Sequence, residues 1–114
     1  MTLEKLQQQL NESPLTVEFD QVMATISEHY HYTPTEFINA GTSSAAGTNE
    51  GSCKIFALGK LLALNEDQTL ACFGQYYRKD VQENPTGNDH GNIRSFIKQG
   101  WSGIDFNGEA LRLK

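Results

Sequence analysis

Cys53 is the residue best placed to do chemistry. It stands in Ser52-Cys53-Lys54, where a polar stretch ends and an apolar helical period begins. A helix N-terminus lowers a thiol's pKa and favours the reactive thiolate, and Lys54 adds positive charge beside it. A cysteine nucleophile needs a base. His90 is the candidate, with Asp89 or Asn92 to orient it. The competing reading of Cys53 is a small side chain packed at the start of a buried helix, which is common for cysteine. Cys72, within an apolar period, reads as packing alone.

Asn39 to Lys54 supports a second chemistry. Gly41, Gly47 and Gly51 allow close backbone approach, and the Ser, Thr and Asn residues supply donors, so an anion cradle at Asn49, Ser52 and Lys54 is one expectation. The stretch lacks the P-loop pattern and the dinucleotide-binding fingerprint. A solvated loop that only turns the chain is the other reading. A third constellation joins Tyr76 and Arg78 to Asp89, His90 and Arg94, which together suit a ligand bound by hydrogen bonds and stacking. Its alternative is structural: Tyr77 in the core, Arg78 paired with a carboxylate, Asp89 capping a helix.

Composition narrows the classes. The 114 residues carry 14 acidic and 9 basic side chains, for a net charge of −5. Phosphate backbones are bound by clustered Lys and Arg, so no nucleic-acid partner is expected, nor an anionic membrane surface. The two cysteines and three histidines have no metal-ligand spacing, so neither a metal nor a cofactor is expected. Both cysteines read as thiols in a reducing cytosol. No run is long and apolar enough to span a bilayer, and the opening residues lack the apolar core of a secretory signal. The length suits one domain over residues 1–114.

The elements that position these groups follow from period and punctuation. Thr2 caps a helix over 2–12 with Leu3, Leu6 and Leu10 on one face. After Ser13-Pro14, a second helix carries Phe19, Val22, Met23, Ile26 and Tyr30, and it ends before Pro34. Thr35–Ile38 reads as extended, and a long loop then runs to about Gly51. The third helix, from about Ser52 to Leu62, has the stripe Ile55, Leu58, Leu61, Leu62. Asn65 and Gln68 form a capping box ahead of a fourth helix with Leu70, Phe73, Tyr77 and Val81. Gly74 inside that helix implies close approach of a neighbouring backbone.

Asp89 is expected to cap a fifth helix, with Ile93, Phe96 and Ile97 inward and Gly100 as its stop. Trp101 then plugs the space between helices and sheet. Asn107-Gly108 predicts a type I′ hairpin pairing Ile104 with Leu111. The fold class is therefore α+β: about five helices and a small antiparallel sheet built on the C-terminal hairpin.

Several segments taken together resemble one family. They are Tyr32–Phe37, Ala46–Ala57, Phe73–Val81, Asp89–Arg94 and Gly100–Phe106. In this order they are similar to the HopJ type III effector family, over about residues 30–112. The resemblance implies a protein associated with virulence in plant pathogens, held in the bacterial cytoplasm and delivered to a host cell by type III secretion. It carries no established catalytic residues. The expected function is binding of a protein partner or a small anionic ligand. The alternatives are a Cys53/His90 hydrolase or acyl-transfer enzyme, and a housekeeping cytoplasmic protein sharing the fold.

Overall fold

The computed structural model describes all 114 residues. The fold is α+β. Thr2 Oγ1 accepts from Lys5 N at 3.1 Å and starts α1 (Leu3–Glu12), which buries Leu6 and Leu10 as their spacing predicts. Pro14–Thr16 form a single 3₁₀ turn. In α2 (Phe19–His29), Val22 and Ile26 are buried, and Phe19 and Met23 pack at the margin.

The strands differ from the expected hairpin. Strand β1 (Tyr30–Tyr32) pairs antiparallel with β5 (Leu111–Leu113), with Tyr30 opposite Leu113. Strand β2 (Phe37–Asn39) lies between β3 (Thr42–Ser44) and β4 (Ile104–Phe106) in a separate antiparallel sheet. Ile104 therefore faces Asn39 and not Leu111. A type I′ turn needs positive φ at both central residues, and Asn107 is not among the positive-φ residues. Instead Asn107 N donates to Glu36 O at 3.0 Å, and Asn107 Nδ2 donates to Glu36 Oε1 at 3.3 Å. The strands on either side of Asn107-Gly108 enter different sheets, β4 beside β2 and β5 beside β1; Phe37 and Phe106, side by side on β2 and β4, have ring centroids 5.7 Å apart.

The tight two-residue turn lies elsewhere. Ala40 (φ 52°) and Gly41 (φ 84°) join β2 to β3 within the stretch expected to be a long loop. With β3 formed and the next helix starting at Glu50, only residues 45–49 remain irregular.

Helix α3 (Glu50–Leu61) runs through the middle of the molecule. Cys53 and the run Ile55–Gly59 are buried, while Leu61 is 53% exposed and Leu62 half-buried. The single-stripe expectation fails because a central helix is covered on most sides until its end emerges at Lys60. Phe56 is the hub, with ring centroids 5.0 Å from Phe96, 5.7 Å from Phe73 and 5.9 Å from Phe37. Burying such a ring contributes about 1.5–3 kcal/mol. Trp101 does plug this core. Its Nε1 donates to Leu64 O at 3.0 Å, and a Cβ at Gly59 would lie 2.7 Å from its ring.

The capping box opens α4 (Glu66–Ala71): Gln68 N donates to Asn65 Oδ1 at 2.7 Å, and Asn65 N to Gln68 Oε1 at 3.1 Å. The fourth helix then breaks where continuity was expected. Gly74 has φ 59°, and the chain resumes as a π-helical segment, Tyr76–Val81. Helix α5 (Gly91–Gln99) buries Ile93 and Phe96, but Ile97 is 49% exposed. Gly100 (φ 60°) stops it as expected, and the Glu66 carboxylate fills the space a side chain would need.

Candidate functional site

The site begins with two glycines that make room for Phe19, Gly74 for its backbone and Gly51 for its ring. A Cβ at Gly74 would lie 2.6 Å from Phe19 N, and a Cβ at Gly51 would lie 3.0 Å from Phe19 Cζ. The start of α2 therefore seats against both the π-helical segment and the first turn of α3. Phe19 meets Tyr76 edge-on at 5.0 Å, and Tyr76 lies 5.4 Å from the His90 ring. His90 Nε2–H donates to Asp80 Oδ2 at 2.9 Å.

Above these rings lies a cleft of about 320 Å³. Asn49, Gly51 and Ser52 form one wall, at the start of α3. His90, Gly91 and Asn92 form the other, at the start of α5. Phe19, Phe73, Tyr76 and Ile93 supply the apolar surface. The Asn- and Gly-rich segments that the sequence separates by some forty positions thus converge.

Both walls have the same backbone device. Asn49 (φ 50°, ψ 45°) and His90 (φ 50°, ψ 52°) are left-handed residues immediately before a helix. Such conformations cost non-glycine residues energy and cluster at functional sites. Neither residue caps its helix with its side chain, whereas Thr2 and Asn65 do cap α1 and α4. No protein group accepts from the N–H groups of Gly51, Ser52, Gly91 or Asn92. Orphan donors and helix dipoles from two directions favour an anion or another strong acceptor. No Asp or Glu lines the cleft, although the chain is acidic overall.

Of the residues singled out from sequence, Asn49, Ser52, Tyr76 and His90 meet here. Asn49 Nδ2 donates to Ser44 Oγ at 3.1 Å, which ties the wall to β3. The others point elsewhere. Cys53 is 1% exposed and does not line the cleft, and its Sγ–H donates to Thr35 O at 3.5 Å. Burial pushes its thiol pKa up, outweighing the Tyr32 hydroxyl and the Lys54 ammonium that pull it down. This reverses the lowering expected from the helix start. Lys54 Nζ lies 4.7 Å over the Tyr32 ring. Arg78 Nη2 donates to Val17 O at 2.8 Å and lies 3.7 Å from Glu18, steadying the entry to α2.

Asp89 is not the cap of α5. His90 occupies that position, and the Asp89 carboxylate turns to Arg94 Nη2 at 2.6 Å. The Arg94 hydrogen bond holds the Asp89 carboxyl below its ordinary range. Arg94 also donates to Asp89 O at 2.6 Å, Asn84 O at 2.8 Å and Asp80 O at 3.3 Å. It fastens the segment that carries His90 and does not line the cleft.

Sequence reasoning missed Phe19 and Phe73 as lining residues and read Ile93 for the inward face of the fifth helix. One signal was available. His90 directly precedes Gly91 and Asn49 stands two positions before Gly51, each near the start of an apolar period, and Asn and His are enriched in the left-handed region.

A family model described as HopJ type III effector protein matches residues 3–111. A crystal structure titled as the unknown function protein VPA0580 is 48% identical, with a TM-score of 0.98, over 100% of this chain and 95% of that one. No curated protein matches.

Proposed function

As a member of the HopJ type III effector family, to which the match over nearly its whole length assigns it, this chain acts, we propose, by binding a small ligand in the cleft between the starts of α3 and α5. The observation that carries the reading is the convergence of two uncapped helix starts over an aromatic floor. The ligand has an oxyanion or comparable acceptor for the free N–H groups, and a flat apolar body for Phe19, Tyr76 and Ile93. The volume suits a molecule of small-fragment size. The setting is that of an effector, in the bacterial cytoplasm before delivery and in a host cell after it, where such binding serves virulence. No helix is long and apolar enough to cross a membrane.

The Cys53/His90 enzyme gains no support from these features. The thiol is buried with a raised pKa and does not line the cleft that His90 lines. Two-dimensional NMR titration of the ¹⁵N-labelled protein with benzoate and with inorganic phosphate tests the binding reading. Shifts should concentrate at Gly51, Ser52, Gly91 and Asn92, and Ser52→Leu should weaken them while leaving the circular dichroism spectrum intact. Shifts scattered over the surface, or none at millimolar probe, overturn the reading.

A further inference from the structure

Asn39, at the end of β2, is 1% exposed. Its Nδ2 lies 2.9 Å from Asn92 O and 3.0 Å from Asn92 Oδ1. A backbone carbonyl only accepts, so the orientation of the Asn39 amide is set by chemistry: its NH₂ end faces Asn92. Both hydrogens are then used, one on each Asn92 oxygen. That in turn settles Asn92. Its Oδ1 is held inward by Asn39, and its Nδ2 has no protein partner on a side chain that lines the cleft. The Oδ1 of Asn39 itself is buried without a partner. Leaving a buried acceptor unpaired is costly, and a hydrophobic residue at 39 would avoid it. The chain keeps a polar side chain at a place where packing alone favours an apolar one.

We propose that Asn39 is a positioning residue that sets the polarity of Asn92, so that the cleft offers an amide NH₂ and selects ligands presenting an oxygen acceptor. The inference rests on the cleft being the binding site. It deepens that reading by making acceptor recognition a property of a side-chain relay as well as of the helix starts. A carboxylate or phosphate oxygen accepts from Asn92 Nδ2 together with the N–H groups beside it. A ligand presenting only donors, such as guanidinium, meets no acceptor at Asn92.

The side-chain NH₂ resonances of Asn92 report directly on this. In the unaltered protein they should shift with benzoate, in step with the backbone N–H of Gly91, and stay put with guanidinium. Asn39→Leu keeps the branched outline of the buried side chain at somewhat greater bulk and frees the Asn92 amide to rotate. It should weaken benzoate binding by about tenfold, the loss of one charge-assisted hydrogen bond. Asn92→Ala should cost the same, and the double variant no more than either, because both act through one amide. Should Asn39→Leu not fold, Asn92→Ala and the side-chain resonances still decide the question. Backbone shifts at Gly51, Ser52 and Gly91 with an unmoved Asn92 NH₂ overturn the relay and leave the cleft standing. An absence of shifts at all of these positions overturns both.

Discussion

Gly74 and Phe19 meet backbone to backbone: a Cβ on Gly74 would lie 2.6 Å from the Phe19 nitrogen. Gly74 also has φ 59°, where other residues are strained. Two separate demands thus fall on one position. Together they hold the start of α2 against the π-helical segment, which puts Phe19 beside Tyr76 and forms the floor of the cleft. Gly74→Ala should therefore lose about 2 kcal/mol or more, from left-handed strain plus displacement of Phe19. Urea denaturation would show the lower midpoint, and the aromatic resonances of Phe19 and Tyr76 should move with it.

Ala40 is the converse case. It holds φ 52° in the turn from β2 to β3 without the excuse of being glycine. Ala40→Gly or Ala40→Asn should stabilise the protein by about 0.5–1 kcal/mol, since both residues enter that region more readily. Asn107→Ala, at the Asn-Gly pair that only resembles a hairpin turn, should be a mild loss through Glu36 and should leave β4 paired with β2. Thermal unfolding of the three variants separates the real turn from the apparent one.

That contrast shows what was legible in the sequence. Elements set by neighbours along the chain were readable: the leucines of α1, the Asn65–Gln68 box, the stop at Gly100. Asn107-Gly108 carried an equally strong local signal, and it lost to the contacts made by Glu36 and Phe37, some seventy positions away. The site divides in the same way. Asn49, Ser52, Tyr76 and His90 lie in or beside polar segments whose composition invites suspicion. Phe19 looked like any core residue of an amphipathic helix, because its role depends on the space left by Gly51 and Gly74. Asn39 read as the first residue of a loop, because its partner Asn92 is met only through the packing of α5 on β2.

The cysteines give a test that needs no ligand. Cys53 and Cys72 are both buried free thiols, and burial pushes Cys72 up to about 12. Native protein at pH 8 should react with a thiol reagent only as fast as it opens, and both groups should react at once in denaturant. Fast labelling of Cys53 in the native state would revive the enzyme reading.

The same burial makes a prediction about alkali. A thiol whose folded pKa lies above its unfolded value contributes stability that is fully present below the unfolded pKa and is lost as pH rises toward the folded one. Burial raises Tyr30, Tyr32 and Tyr77 in the same direction. Stability should therefore hold to about pH 8.5 and fall progressively between there and about pH 12. Melting temperature against pH checks this. In Cys72→Ala the slope should be shallower, even though the variant is less stable at neutral pH.

Arg94 is the last case, and it separates support from recognition. Its guanidinium ties Asp89, Asn84 and Asp80 together, and Asp80 in turn holds His90. Arg94→Lys keeps the charge but loses the planar fork, so it cannot reach these acceptors together. If Arg94 met an anionic ligand as a charge, lysine would preserve most of the binding. If it is a fastener, Arg94→Lys should fall nearly as far as Arg94→Ala, by about 1–3 kcal/mol of stability. Affinity should fail because the wall carrying His90 and Gly91 is loosened. The resonances of residues 80–91 should then broaden or shift before any ligand is added. A binding loss in Arg94→Ala with those resonances unchanged would instead make Arg94 a ligand contact.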